Sequence, residues 1–219
     1  MTFKPCIPMP ISPLNFRMYT DLHHYTVTEI ETILSTLRFQ ISVLDTVDEE
    51  IMAYKVKQSL EAFTGPLFEL QLLKENLHFL TSPIQKTEET PFLIDLFSAA
   101  FNSLSLLFHK KGLVLVHQNP EFLKKRVRIS PATGTLFFQN ILHYLYKVCA
   151  QSDKLTFEWS QDSRFYKLIV HIPIERLPLK KSLDFELKTA KKLLETAHGK
   201  VIPSRKTQPN TPTYLFRCT

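Results

Sequence analysis

Leu22-His23-His24-Tyr25-Thr26-Val27-Thr28-Glu29 opens a run whose apolar residues fall at Val27, Ile30, Leu34, Leu37, Ile41 and Leu44. The steps alternate between 3 and 4 residues, which is the heptad seam of an α-helix. Continued one step backwards, the seam lands on His23 or His24. If His23 continues the stripe, His24 lies about 100° round the helix, at the edge of the buried face and open to water.

This helix spans about 17–44, and a short turn at Asp45-Thr46-Val47-Asp48 follows, with Asp48 placed as the N-cap of the next. Helix two spans about 49–80, with a stripe at Met52, Val56, Leu60, Phe63, Leu67, Leu70, Leu77 and Leu80. Gly65-Pro66 interrupts it, and the missing amide donor and ring clash of proline predict a kink or a break there. A short loop between two long helices makes them antiparallel neighbours. Two helices cannot cover both stripes, and leaving one wet forfeits about 1.5–3 kcal/mol per large apolar side chain. A second copy of the hairpin, giving a four-helix bundle in a homodimer, solves this. Packing on the chain's own C-terminal part is the other solution.

Outside the hairpin, residues 1–16 carry Pro5, Pro8, Pro10 and Pro13 and read as an extended arm. The hairpin domain is placed at 17–82, a polar linker follows, and the pattern changes over 91–219. There, Leu93 to Phe108 is a helix stopped by Lys111-Gly112, and Leu113 to Val116 is a strand. Arg126 to Ile129 reads as a short strand, and Ser130-Pro131-Ala132 opens a helix to about Ala150. Strands at Leu155–Trp159 and Phe165–Ile172 flank a polar turn. A helix from Leu183 to Ala197 is closed by His198-Gly199, and strands at Val201-Ile202 and Tyr214–Phe216 finish the chain. The fold class is α+β, a helical hairpin followed by a mixed sheet with helices on one face.

Composition excludes several functions. Four glycines, Gly65, Gly112, Gly134 and Gly199, stand far apart where an average chain would hold roughly 15. A phosphate-cradling loop needs clustered glycine, so no P-loop, dinucleotide fingerprint or kinase glycine loop is present. Cys6, Cys149 and Cys218 have no paired spacing and read as free thiols. No apolar run reaches the ~18 residues of a membrane span, and no signal pattern opens the chain, so the expectation is a cytoplasmic protein without membrane contact. The net charge of +6 comes from short scattered basic runs, with neither aromatic interleaving nor zinc spacing, which speaks against nucleic acid. His78, His109, His117, His143, His171 and His198 show no metal-ligand spacing and read as ordinary.

The order of elements resembles the dimerisation and ATP-binding domains of bacterial sensor histidine kinases over about 17–219. His24-Tyr25-Thr26-Val27-Thr28-Glu29 sits where those kinases carry H-E-x-x-T/N-P, which makes His24 the phosphoaccepting position and Thr28 its polar neighbour one turn on. Asn140-Ile141-Leu142-His143-Tyr144-Leu145-Tyr146-Lys147 looks like the N box, N-L-L-x-N-A-x-K, matching at Asn140 and Lys147. Tyr144 replaces the second Asn, which in the family holds magnesium. The adenine-recognising D-x-G-x-G is absent, Pro173-Ile174-Glu175-Arg176-Leu177-Pro178 standing in its place, and the glycine-rich lid is missing too. A kept scaffold without nucleotide chemistry is similar to the dimeric histidine phosphotransferases of the ChpT type, whose ATPase-like domain is degenerate.

That resemblance implies a phosphorelay. Phosphate passes from a receiver-domain aspartate to His24 and on to another, with a hybrid or sensor histidine kinase upstream. A neutral imidazole attacks in line, and the transferase contributes position. Asp21, three residues before His24, and Thr28 are the groups placed to orient the ring. No cofactor is expected in this chain, and magnesium would come from the partner receiver. His23 is the rival acceptor. Two other functions stay open: a non-catalytic kinase-like dimer that binds and regulates a response regulator or sensor kinase, and an unusual ATP-dependent kinase.

Overall fold

The computed structural model describes residues 30–32, 34–36, 39, 49–81, 89–173, 184–202 and 212–218, with backbone alone for 49–63, 81 and 184. Of the first helix expected at about 17–44, residues 30–32, 34–36 and 39 are described and are helical. The second expected helix, α1, spans Glu49–Thr81. It continues through Gly65-Pro66, so of the kink or break expected there the break does not occur. Proline removes one amide donor, but the long flanking segments and the packing of Phe68 and Leu72 into the core carry the helix across.

Three more helices follow: α2 (Leu93–Lys111), α3 (Pro131–Val148) and α4 (Asp184–Thr196). Ser130 and Pro131 start α3. The Ser130 hydroxyl accepts from the Thr133 amide at 3.1 Å, and the proline sits where no amide donor is needed. Gly112 ends α2 in the left-handed region at φ 66°, as its place after Lys111 implied. At the end of α4 it is His198 that turns left-handed, with φ 59°. Gly199 serves a different need there, since a Cβ would lie 2.5 Å from the Leu215 carbonyl oxygen.

Five strands, β1 (Val114–Gln118), β2 (Lys154–Gln161), β3 (Phe165–His171), β4 (Lys200–Ile202) and β5 (Thr213–Arg217), form one mixed sheet in the order β1-β2-β3-β5-β4. β1 and β2 are parallel, in register Leu115↔Leu155, because α3 carries the chain back between them. All other pairs are antiparallel. The β2–β3 turn is fixed by Asp162, whose carboxylate accepts from the Arg164 and Phe165 amides, each at 2.9 Å. Those two bonds hold its carboxyl below the usual carboxylate range.

Arg126 to Ile129 is not a strand, contrary to expectation. It makes two isolated bridges, Phe92↔Arg126 and Val127↔Cys218, tying the start of α2 to the last described residue. A 3-10 turn at Pro120–Lys124, absent from the sequence reading, precedes it. The inner sheet face presents Leu155, Phe157 and Trp159 from β2 and Tyr166, Leu168 and Val170 from β3, all buried, with outer residues between them. Phe97 of α2 and Phe137 and Phe138 of α3 pack there, Phe138 lying 6.4 Å from Trp159 and 5.6 Å from Phe216 between ring centroids.

Candidate functional site

Every residue of α3 from Leu136 to Leu145 is buried, so this helix is enclosed on all sides. Its sheet side is apolar. Its other side carries Asn140, His143 and Lys147, at successive steps of 3 and 4 residues and therefore in one line along the helix. α1 crosses this line antiparallel and brings Glu69 and Asn76, themselves 7 residues apart. The two spacings match, so Asn76 meets Asn140 while Glu69 meets His143 and Lys147. α4 adds Glu186 from its first turn.

The carboxamides of Asn76 and Asn140 bond reciprocally at 2.9 and 2.8 Å, both side chains essentially inaccessible. Asn140 also donates to the Leu136 carbonyl at 2.8 Å. His143 is 1% exposed. Its Nε2 lies 3.2 Å from Glu69 Oε1, and its Nδ1 lies 3.3 Å from Glu186 Oε1 in an ionic contact without the alignment of a hydrogen bond. Lys147 Nζ reaches both carboxylates, at 3.2 Å from Glu186 and 3.7 Å from Glu69.

Burial alone would lower the His143 pKa, but the Glu186 and Glu69 carboxylates outweigh it and raise it above the ordinary histidine value. Burial alone would raise the Glu186 pKa, and His143 and Lys147 together pull it below the ordinary value. The cluster thus sets His143 and Lys147 against two carboxylates, with His143 and Glu186 buried and Lys147 and Glu69 partly exposed. Among the described residues no group of three or more histidines, cysteines or carboxylates is arranged to hold a metal ion. Here the Lys147 ammonium lies between the two carboxylates.

This arrangement can hold three helices in one register. It cannot take phosphate, because His143 is sealed from any incoming group. Asn140 and Lys147, the two N-box matches, both belong to it, and Tyr144 is buried beside it at 8% exposure. A nucleotide approaching Asn140 would have to displace α1. The sequence reading set His143 aside as ordinary, and the structure corrects that: it is the centre of the polar cluster. Glu69, Asn76 and Glu186 were not singled out either. The equal spacing of Glu69 to Asn76 and of Asn140 to Lys147 was the available signal. His24, Thr28, Asp21 and the rival His23 lie outside the described residues.

Other polar groups stand near the end of α3. Lys111 donates to the Tyr146 carbonyl and sits over that ring at 4.8 Å, and burial lowers its pKa. Burial pushes the Cys149 thiol up to about 11, which keeps it protonated and unreactive.

No protein-family model matches the sequence. No curated protein matches it either. Solved structures do. The histidine kinase AdeS of Acinetobacter baumannii is similar with a TM-score of 0.58 at 12% identity, over 90% of this chain and 97% of that one. The cytoplasmic segment of histidine kinase QseC gives 0.46 at 10% identity over 69% and 94%. The catalytic domain of histidine kinase ThkA gives 0.45 at 14% identity over 59% and 94%. The chain has a histidine-kinase-like α+β fold. No helix among the described residues is long and apolar enough to cross a membrane.

Proposed function

We propose that this chain is a histidine phosphotransferase of a two-component phosphorelay, carrying phosphate between receiver-domain aspartates on His24 without using ATP. One observation carries the reading. Asn140, on the helix face that the resemblance assigns to nucleotide, is 0% exposed and bonded to Asn76 of the hairpin. A kinase-like scaffold that closes this face with its own helix can still present a histidine, because that histidine stands on the hairpin. The four scattered glycines agree, since no loop can wrap a phosphate chain.

In the proposed step a ring nitrogen of neutral His24 attacks the acyl phosphate of a receiver aspartate. A P–N bond forms, the P–O bond to the aspartyl oxygen breaks, and the aspartate leaves as carboxylate. Asp21 or Thr28 holds the proton on the other ring nitrogen. The second transfer reverses these bonds on another receiver, whose magnesium and cationic side chains stabilise the moving charge. The working form is a homodimer. Ile30, Leu34, Leu67 and Leu70, all on the seams read from the sequence, are 38%, 45%, 60% and 41% exposed in the single chain and await a second copy.

The test is a phosphotransfer assay on the whole chain with a phosphorylated receiver. Label appears on the wild type and on His23→Ala, vanishes in His24→Ala, and does not come from ATP. Label that survives His24→Ala refutes the assignment. Receiver binding without any label would make the protein a non-catalytic regulator instead.

A further inference from the structure

His143 has a carboxylate oxygen against each of its two ring nitrogens, Glu69 at 3.2 Å and Glu186 at 3.3 Å. A neutral imidazole has one N–H, so it can satisfy only one of them and turns a lone pair toward the other. Only an imidazolium suits both. The carboxylates come from different elements, Glu69 from the hairpin and Glu186 from α4, with Lys147 of α3 reaching each. With His143 protonated each of the two carboxylates faces an N–H of the ring; without that proton one of them faces its lone pair. Around the ring stand Phe68 of α1 at 5.5 Å and Tyr146 of α3 at 6.5 Å between centroids, neither of which supplies a charge in place of the proton.

We propose that Glu69, His143, Lys147 and Glu186 form a protonation-dependent clasp that locks the hairpin helix α1 to α3 and α4, and that loss of the His143 proton loosens α1 from the rest of the fold. The clasp sets whether hairpin and α/β part move as one body. It needs no phosphate on His24, so it stands or falls apart from the phosphotransfer reading.

The sign follows from linkage. The docked state binds the proton more tightly than the undocked state, whose histidine titrates near the reference value of about 6.5. Docking is therefore fully supported below about pH 6.5, weakens about tenfold per pH unit above it, and levels off beyond the docked pKa.

Two measurements on the whole chain test this. The first is amide hydrogen exchange, corrected for intrinsic rates, from about pH 5.5 to 9. Protection over residues 64–81 falls as pH rises, that of β2 does not follow, and His143→Gln removes the pH dependence of α1. A flat profile in the wild type, an equal fall in β2, or an unchanged slope in His143→Gln overturns the clasp. The second needs no variant: the His143 ring is titrated by NMR, where a pKa above 6.5 supports the clasp and one at or below 6.5 overturns it.

Discussion

The two sides of α3 are built on opposite principles. Toward the sheet, Phe137, Phe138, Ile141 and Leu145 meet Phe157, Trp159, Tyr214 and Phe216 in an aromatic layer with few polar atoms. Toward α1 and α4, Asn140, His143 and Lys147 meet Asn76, Glu69 and Glu186. Burial drives association on the first side and is nearly indifferent to register, because one apolar contact can replace another. The second side gains little net free energy, since desolvating charges and amides offsets most of what their pairing returns. What it gains is a single register: a shift of α1 by one residue would take the Asn76 carboxamide from Asn140 and the Glu69 carboxylate from His143. The sheet side holds the fold together, and the polar side fixes where α1 sits on it.

The largest effect is expected on the apolar side. Phe138 is 0% exposed and has ring partners in α2, α3, β2 and β5. Phe138→Ala should destabilise the protein by about 3–5 kcal/mol, read from the midpoint of urea unfolding. A loss under about 1 kcal/mol would show that the layer repacks freely and that the contrast between the two sides is overdrawn.

The polar side should respond in a different pattern. Asn140→Leu leaves the Asn76 carboxamide buried without its partner and should cost about 1–3 kcal/mol. Asn76→Leu should behave alike. The double substitution removes both needs at once and should recover most of the loss, so the two changes are far from additive. Simple additivity in this cycle would mean that the amide pair does not act as a unit. Recovered stability with a loosened α1, visible by hydrogen exchange, would separate the contribution to register from the contribution to stability.

The sequence made much of the fold legible and little of this polar side. Helix limits were readable where chemistry is local: Ser130-Pro131 opens α3, Gly112 closes α2, and alternation in β2 and β3 marks their inner faces. Pro66 does not break α1, because its local penalty is outweighed by contacts that α1 makes with distant segments. Arg126 to Ile129 misled for a related reason, since its alternation is real but each neighbour offers only one pairing position. Glu69, His143 and Glu186 stand in sequence as polar residues on amphipathic helices, which are solvated faces as a rule. Only the crossing of α1 over α3, a tertiary fact, turns them inward. The equal spacing on the two helices was visible, but nothing local says that the two helices meet.

A contact on the surface of the sheet calibrates the contrast from outside. His171 of β3 and Glu158 of β2 are cross-strand neighbours with Nε2 and Oε2 2.9 Å apart, a shorter approach than any contact of His143 with a carboxylate. Yet their side chains are 42% and 34% exposed, so water solvates both and screens the attraction. Glu158→Gln should therefore change stability by less than about 1 kcal/mol, and added salt should shrink even that. Glu186→Gln, at 1% exposure, should cost several times more and respond weakly to salt, because it takes from the buried His143 a carboxylate that water cannot replace. Urea melts of both variants at low and high ionic strength read the comparison directly. Equal losses would mean that distance rather than burial sets the worth of these pairs, and the polar side of α3 would then be no more specific than the surface.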